Sequence, residues 1–143
     1  MTTRKTTDLF VTTNNELGTL SRLTNYLKMN NINVESFVAW EEGKNAHFRF
    51  VTSDNKRARE LWTKEGYTVK EDPVVMWTTS NTPGRLYAGC TAIAEAKINT
   101  FCNYASTPTT GTGTGTGTGT NTCTVVFYTN NPDRTYDVLN KIG

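Results

Sequence analysis

The chain repeats itself, and this repeat limits the folds that it can adopt. The segment Asn15–Leu20 (NELGTL) is similar to Asn81–Leu86 (NTPGRL), which lies 66 positions further along. Ile32–Val34 (INV) is similar to Ile98–Thr100 (INT), again at an offset of 66. Two short matches at one offset are much less expected by chance than either match alone. The sequence therefore predicts two copies of one module in tandem.

The offset between the copies widens later in the chain. Asp54–Arg57 aligns with Asn131–Arg134 at an offset of 77, so the second copy has gained 11 residues. The alternating Thr-Gly tract Thr110–Thr120 has this length. Glycine at alternate positions disfavours regular structure, and the tract holds nothing apolar to bury. We therefore predict a flexible surface insertion over residues 107–121.

The apolar pattern within each copy predicts the element order βαββαβ. In the first copy we predict strands at 8–13, 32–40, 46–52 and 67–70, one helix with Leu20, Leu23 and Leu27 on its buried face, and a second helix capped by Asp54 and burying Trp62. In the second copy we predict strands at 74–78, 99–105 and 122–128, a helix with Leu86, Cys90 and Ile93 on its buried face, and a helix capped by Asn131. Gly143 is the equivalent of Gly66, so no counterpart of the fourth strand follows.

These elements predict an α+β fold of two ferredoxin-like βαββαβ modules in tandem, at residues 7–72 and 73–143. In such a sheet the fourth strand lies at an edge, beside the first strand. The missing strand of the second module would leave strand 74–78 with unpaired backbone groups, which invite pairing with another chain. We therefore expect a partner subunit, such as a second copy in a homodimer, or another segment of the chain to cover this edge.

The two turns with the pattern Asn-x-x-Gly-x-Leu are the candidate binding sites. Each joins a strand to a helix, and its glycine lets the backbone approach a ligand closely. The first N–H groups of a helix attract an anion such as a carboxylate, and an asparagine amide both donates and accepts hydrogen bonds. An α-amino acid fits such a turn without any catalytic group. The alternative is that Gly18 and Gly84 only make tight turns.

A βαββαβ unit with Asn-x-Pro-Gly-x-Leu at its first turn and Ile-Asn-Val at its second strand resembles the ACT domain family. The second copy has the full turn motif, whereas Leu17 replaces the proline in the first copy. The similarity covers nearly the whole chain after Thr7, apart from the Thr-Gly tract and the absent last strand.

The resemblance implies a regulatory protein that senses an amino acid, or a similar small metabolite, at interfaces between paired domains. In that arrangement the turn of one domain faces the second strand of its neighbour. The ligand-binding residues that the resemblance implies are Asn15, Gly18, Asn33, Asn81, Gly84 and Asn99.

Three other functions compete with ligand sensing. The pair of modules could serve only to dimerise or to dock on a partner, without a free ligand. A ferredoxin-like sheet also serves RNA-recognition modules, and this interpretation requires Phe48 and Phe50 to be exposed on the sheet. An enzyme is the least favoured, because His47 is the only histidine and no catalytic constellation is visible.

The composition of the chain limits the kinds of binding partner and the cellular compartment that we expect. A formal net charge of +2 with 20% charged residues gives no reason to expect a nucleic-acid partner. No apolar run is long enough to span a membrane, and Met1–Thr7 does not start a signal peptide. We therefore expect a cytoplasmic protein in which Cys90, Cys102 and Cys123 form no disulfide. No CxxC pair is present, so we expect no metal and no cofactor.

Overall fold

The computed structural model describes residues 1–107 and 121–143. The predicted insertion at 107–121 lies outside the described residues except for its two end positions. The elements, in chain order, are β1 (Thr2–Asn14), α1 (Thr19–Met29), β2 (Val34–Glu42), β3 (Asn45–Thr52), α2 (Asn55–Lys64), β4 (Val69–Ser80), α3 (Arg85–Glu95), β5 (Thr100–Ser106), β6 (Thr122–Thr129) and α4 (Pro132–Ile142). This order confirms the α+β fold of two βαββαβ-like modules, of which the second lacks its own last strand.

The chain forms two compact units. Module 1 is Thr7–Asp72, and module 2 combines Pro73–Gly143 with the N-terminal residues Met1–Thr6. The repeat seen in the sequence is also a repeat of backbone hydrogen bonds. The amide of Asn15 donates to the carbonyl of Lys44 at 2.7 Å, and the amide of Asn81 donates to the carbonyl of Asn121 at 2.8 Å. Both turns are therefore anchored in the same way to the hairpin that follows.

Module 1 packs α1 and α2 on one face of a sheet with the strand order β2-β3-β1-β4. Leu9 pairs with Phe50 and Val11 pairs with Phe48, and all four side chains lie in the core. Trp62 is fully buried, and its indole Nε1 donates to the carbonyl of Leu23 at 3.1 Å. Because Phe48 and Phe50 are only 4% and 0% exposed, the RNA-binding interpretation loses the aromatic platform that it requires.

A buried ion cluster in module 1 joins β3 to β1 and β4. Arg49 Nη1 lies 2.9 Å from Asp8 Oδ1 and 3.0 Å from Asp72 Oδ2, and all three residues are buried. Burial on its own lowers the pKa of Arg49, but the two carboxylates outweigh it and raise this pKa above its usual value. The guanidinium is therefore held charged between two buried carboxylates.

Module 2 has the strand order β1-β4-β6-β5, and the first residues of β1 stand beside the strand that was expected to be open. Arg4 Nη2 donates to the sulfur of Met76 at 3.0 Å, and Lys5 Nζ lies 3.1 Å from Asp133 Oδ1. Val74 and Trp77 are fully buried. Another segment of the same chain therefore covers this edge, which was the second of our two expectations.

The buried face of α3 differs from the prediction. Leu86 is 54% exposed and Cys90 is also exposed, whereas Gly89 and Ile93 are buried. A Cβ atom on Gly89 would lie 2.5 Å from Cζ3 of Trp77, so only glycine leaves room for the indole ring. Leu20, predicted on the equivalent face of α1, is likewise partly exposed. The prediction for α3 was right for Ile93 and wrong for Leu86 and Cys90, because the bulk at this core position comes from the strand and not from the helix.

The remaining expectations concern membranes, metals and thiols. Among the described residues no helix is long and apolar enough to cross a membrane. Within the same residues no group of three or more His, Cys, Asp or Glu side chains is placed to hold a metal ion. None of the three cysteines forms a disulfide, as predicted.

Candidate functional site

The two predicted turns share a backbone geometry that glycine makes accessible. Gly18 has φ 84° and Gly84 has φ 89°, and each stands directly before a helix. No side chain caps α1 or α3, whereas Asp54 and Asn131 cap α2 and α4 by accepting hydrogen bonds from backbone amides at 3.1 Å. The first N–H groups of an uncapped helix are left to water or to a ligand. Both helix starts suit an anion, but at α3 the amide of Arg85 already donates to the carbonyl of Thr82 at 3.2 Å.

The first turn borders a surface pocket in module 1, which we call the turn pocket. Its volume is about 320 Å³. It is lined by the turn residues 15–20, by Ala39, Trp40 and Glu41 of β2, and by Ala46 and Phe48 of β3. One wall thus presents the start of α1 and another presents the Glu41 carboxylate. These two walls match the carboxylate and the ammonium group of an α-amino acid.

Asn15 joins the two walls of the turn pocket. Its side-chain Nδ2 donates to Oε2 of Glu41 at 2.5 Å, and its backbone amide is anchored to Lys44. The asparagine therefore orients Glu41 toward the turn. Glu41 was not predicted as a site residue. The signal that could have found it is the hairpin register, because a residue at the end of β2 must lie beside the turn that the hairpin anchors.

Asn33 is not brought to the turn of its own module. It directly precedes β2, and its amide donates to Oγ of Ser53 at 2.9 Å. Glu41 is eight positions along the same strand, which corresponds to about 26 Å. Asn99 in module 2 is placed in the same way, with its amide donating to Oδ1 of Asn130 at 3.1 Å. Neither asparagine can contact a ligand bound at the turn of its own module.

The second turn differs from the first in its side chains. Arg85 follows Gly84 and turns inward, where its Nε donates to Oγ1 of Thr79 at 2.9 Å. Asn81 is held at the end of the hairpin by the side chain of Asn121, whose Nδ2 donates to the Asn81 carbonyl at 3.0 Å. The inward course of Arg85 was not predicted, since its side chain has no counterpart at the equivalent position of the first copy.

Comparison with known proteins identifies the family. Residues 1–142 match the family model described as the ACT domain pair. The chain belongs to the ACT domain pair family. This family is one of regulatory domains, and it accounts for both modules at once because the match covers nearly the whole chain.

Several solved structures have a similar fold. The protein BT0572 from Bacteroides thetaiotaomicron has a TM-score of 0.83 at 21% identity, over 98% of this chain and 90% of that one. The ligand-free regulatory subunit of aspartate kinase from Thermus thermophilus has a TM-score of 0.64 at 11% identity, over 97% and 95%. The corresponding subunit from Thermus flavus has a TM-score of 0.57 at 10% identity, over 97% and 95%. No curated protein sequence matches this chain significantly.

Proposed function

We propose that this ACT domain pair is a regulatory protein that binds an α-amino acid, or a similar metabolite with a carboxylate beside an ammonium group. The observation that carries the proposal is the turn pocket. There, the uncapped start of α1 behind Gly18 faces the Glu41 carboxylate that Asn15 orients. The ligand carboxylate accepts from the first N–H groups of α1, and its ammonium group donates to Glu41. Structural similarity to regulatory subunits of aspartate kinase supports a sensing role of this kind.

Module 2 offers the corresponding residues in weaker form. Asn81 and Gly84 repeat the turn, but the position of Glu41 falls beyond the last residue of β5 when the first offset is applied. Asn33 and Asn99 enter the proposal only through a neighbouring module, whose turn would face them, because each is remote from the turn of its own module. We therefore expect module 1 to hold the stronger site.

Thermal unfolding with a panel of free amino acids tests this proposal. A ligand that binds only the folded state stabilises it by about 2.7 kcal/mol at a hundredfold excess over its Kd. For a chain of this size that corresponds to a rise in melting temperature of roughly 5–10 °C. We expect one amino acid, or a related group of them, to produce such a shift.

Two variants test whether the ligand binds in the turn pocket. Glu41→Gln removes the carboxylate of the turn pocket and should abolish the shift. Glu42→Gln changes the next carboxylate, which points to the opposite face of β2 and lies 3.4 Å from His47, and should leave the shift intact. Equal shifts in both variants would contradict the assignment of the ligand to the turn pocket.

A docking module without a free ligand is the second candidate. The observation that favours it is Leu17, which is 99% exposed at the tip of the first turn where the family motif has proline. If no amino acid in the panel raises the melting temperature of a well-folded protein, the sensor proposal is contradicted and the docking function is favoured. In that case Leu17→Ser should weaken association with the partner.

A further inference from the structure

The guanidinium of Arg85 occupies a defined position inside module 2. Its Nε donates to Oγ1 of Thr79 at 2.9 Å, and its Nη2 donates to the carbonyl of Gly143 at 2.7 Å. Its Cζ lies 5.3 Å from the centre of the Trp77 ring. Thr79 and Trp77 are both fully buried. Arg85 therefore fills a space bounded by β4, the start of α3 and the end of α4.

The same space in module 1 is open. The repeat places Thr13 at the position of Thr79, Gly66 at the position of Gly143, and Thr19 at the position of Arg85. All three residues line a cavity of about 400 Å³, which we call the end cavity. Its other lining residues are Thr12, Asn14, Glu16, Arg22, Asn45, Tyr67 and Thr68. Module 1 thus keeps the threonine and the glycine that Arg85 contacts in module 2, but has Thr19 in place of the arginine side chain.

The hydrogen-bonding groups of the end cavity suit a cation at its floor. The Thr13 hydroxyl donates to the carbonyl of Asn14 at 2.9 Å, so its oxygen keeps lone pairs for a further donor. The Thr19 hydroxyl donates to the carbonyl of Glu16 at 3.2 Å and accepts from Nη2 of Arg22 at 3.1 Å. Thr13 thus offers the acceptor that its equivalent offers to a guanidinium in module 2.

The mouth of the end cavity carries one charge of each sign. Oε2 of Glu16 lies 3.6 Å from Nη2 of Arg22, and both side chains are about half exposed. Module 2 has Thr82 and Ala88 at these positions, so the charges belong to module 1 alone. A molecule with a cationic tail, and with a carboxylate and an ammonium group at the other end, would satisfy all of these groups together.

We infer that the end cavity of module 1, which shares Glu16 and Thr19 with the turn pocket but has Thr13 and Gly66 as its own lining, is a second ligand site for a small guanidinium-bearing amino acid such as free L-arginine. The guanidinium takes the place that the Arg85 side chain holds in module 2. The carboxylate meets Arg22 and the ammonium group meets Glu16. The volume of about 400 Å³ is within the range of small-molecule sites, and the lining is polar, as a ligand with three charged groups requires.

Calorimetric titration of the full chain with L-arginine, agmatine and L-citrulline tests this inference. Agmatine keeps the guanidinium but lacks the carboxylate, and citrulline keeps the carboxylate but has a neutral urea. We expect arginine to bind, and agmatine and citrulline each to bind at least about tenfold more weakly. Citrulline binding as tightly as arginine, or no binding of arginine at all, would overturn the inference.

Thr→Val and Thr→Arg variants locate the site. Thr13→Val removes the acceptor at the floor with little change of shape and should weaken arginine binding at least about tenfold. Thr24→Val, on the outer surface of α1, is the matched control and should not change it. Thr19→Arg copies the Arg85 side chain into module 1 and should abolish binding. Unchanged binding in both Thr13→Val and Thr19→Arg would overturn the inference.

The turn pocket and the end cavity are told apart by one further comparison. Arginine binding that is lost in Thr13→Val and kept in Glu41→Gln belongs to the end cavity. The reverse pattern assigns arginine to the turn pocket, which overturns this inference and supports the proposed function. The opposite outcome is a protein that binds arginine but shows no Glu41-dependent rise in melting temperature with any amino acid. That outcome would support the end cavity and contradict the proposed sensor site.

Discussion

Gly89 packs against Trp77, so we expect Gly89→Ala to destabilise the protein when Trp77 is present and to stabilise it when Trp77 is replaced by valine. Alanine in a helix interior is favoured over glycine by about 1 kcal/mol. At Gly89, however, the added Cβ would lie 2.5 Å and 2.8 Å from two atoms of a fully buried ring that cannot move into solvent. Overpacking of this kind costs about 1–3 kcal/mol. We therefore expect Gly89→Ala to lower the free energy of unfolding by up to about 2 kcal/mol.

Module 1 shows how the same space is filled differently. Val11 stands at the position of Trp77, and Leu23 stands at the position of Gly89. In a Trp77→Val background the clash is gone, so Gly89→Ala should raise the free energy of unfolding by up to about 1 kcal/mol. Gly89→Leu in that background restores the pair found in module 1. It should recover a large part of the roughly 3–5 kcal/mol that the loss of the indole costs.

Urea denaturation followed by circular dichroism measures these effects as a double-mutant cycle. Ala94→Gly, at an exposed position of the same helix, calibrates helix propensity alone and should cost about 1 kcal/mol. The reasoning is refuted if Gly89→Ala stabilises the protein that keeps Trp77. It is also refuted if the change is equal in the two backgrounds.

Two further predictions concern strands β1 and β3. Deleting Met1–Thr6 should expose the edge of β4 in module 2, so it should lower stability and cause self-association that size-exclusion chromatography detects, while removal of Met1 alone should not. Arg49→Met should lower the free energy of unfolding by about 3–5 kcal/mol, because it removes the guanidinium from the two buried carboxylates of Asp8 and Asp72. A loss below about 1 kcal/mol in chemical denaturation would contradict the second prediction.

The repeat made the architecture predictable, because it preserves the positions at which the backbone must turn. The residues before the second strands show this most clearly. The amide of Ser53 donates to the carbonyl of Asn33 at 2.9 Å, and the amide of Asn130 donates to the carbonyl of Asn99 at 3.0 Å. Because the same hydrogen bond forms at equivalent positions of both copies, the strands and helices on either side of it are repeated as well.

The features that the sequence did not predict have a common physical cause. Each is determined by residues that are distant in sequence and close in the fold. Met1–Thr6 is polar and lacks an apolar alternation, so its strand forms because β4 offers an unpaired edge. The buried face of α3 follows the size of Trp77 and not the helical spacing of its own apolar residues. Glu41 becomes part of the candidate site through the hairpin register, which local motifs do not reveal.

Amide chemical shifts of the full chain, recorded by NMR during titration with the amino acid that stabilises it, test the central claim most directly. If the ligand carboxylate is bound by the start of α1, the largest shifts should fall on the amides of Gly18, Thr19 and Leu20, with the Asn15 side-chain amide among them. The capped start of α2, behind Asp54, should not respond. Shifts absent from the first turn, or equal at both helix starts, would contradict the assignment of the sensing site.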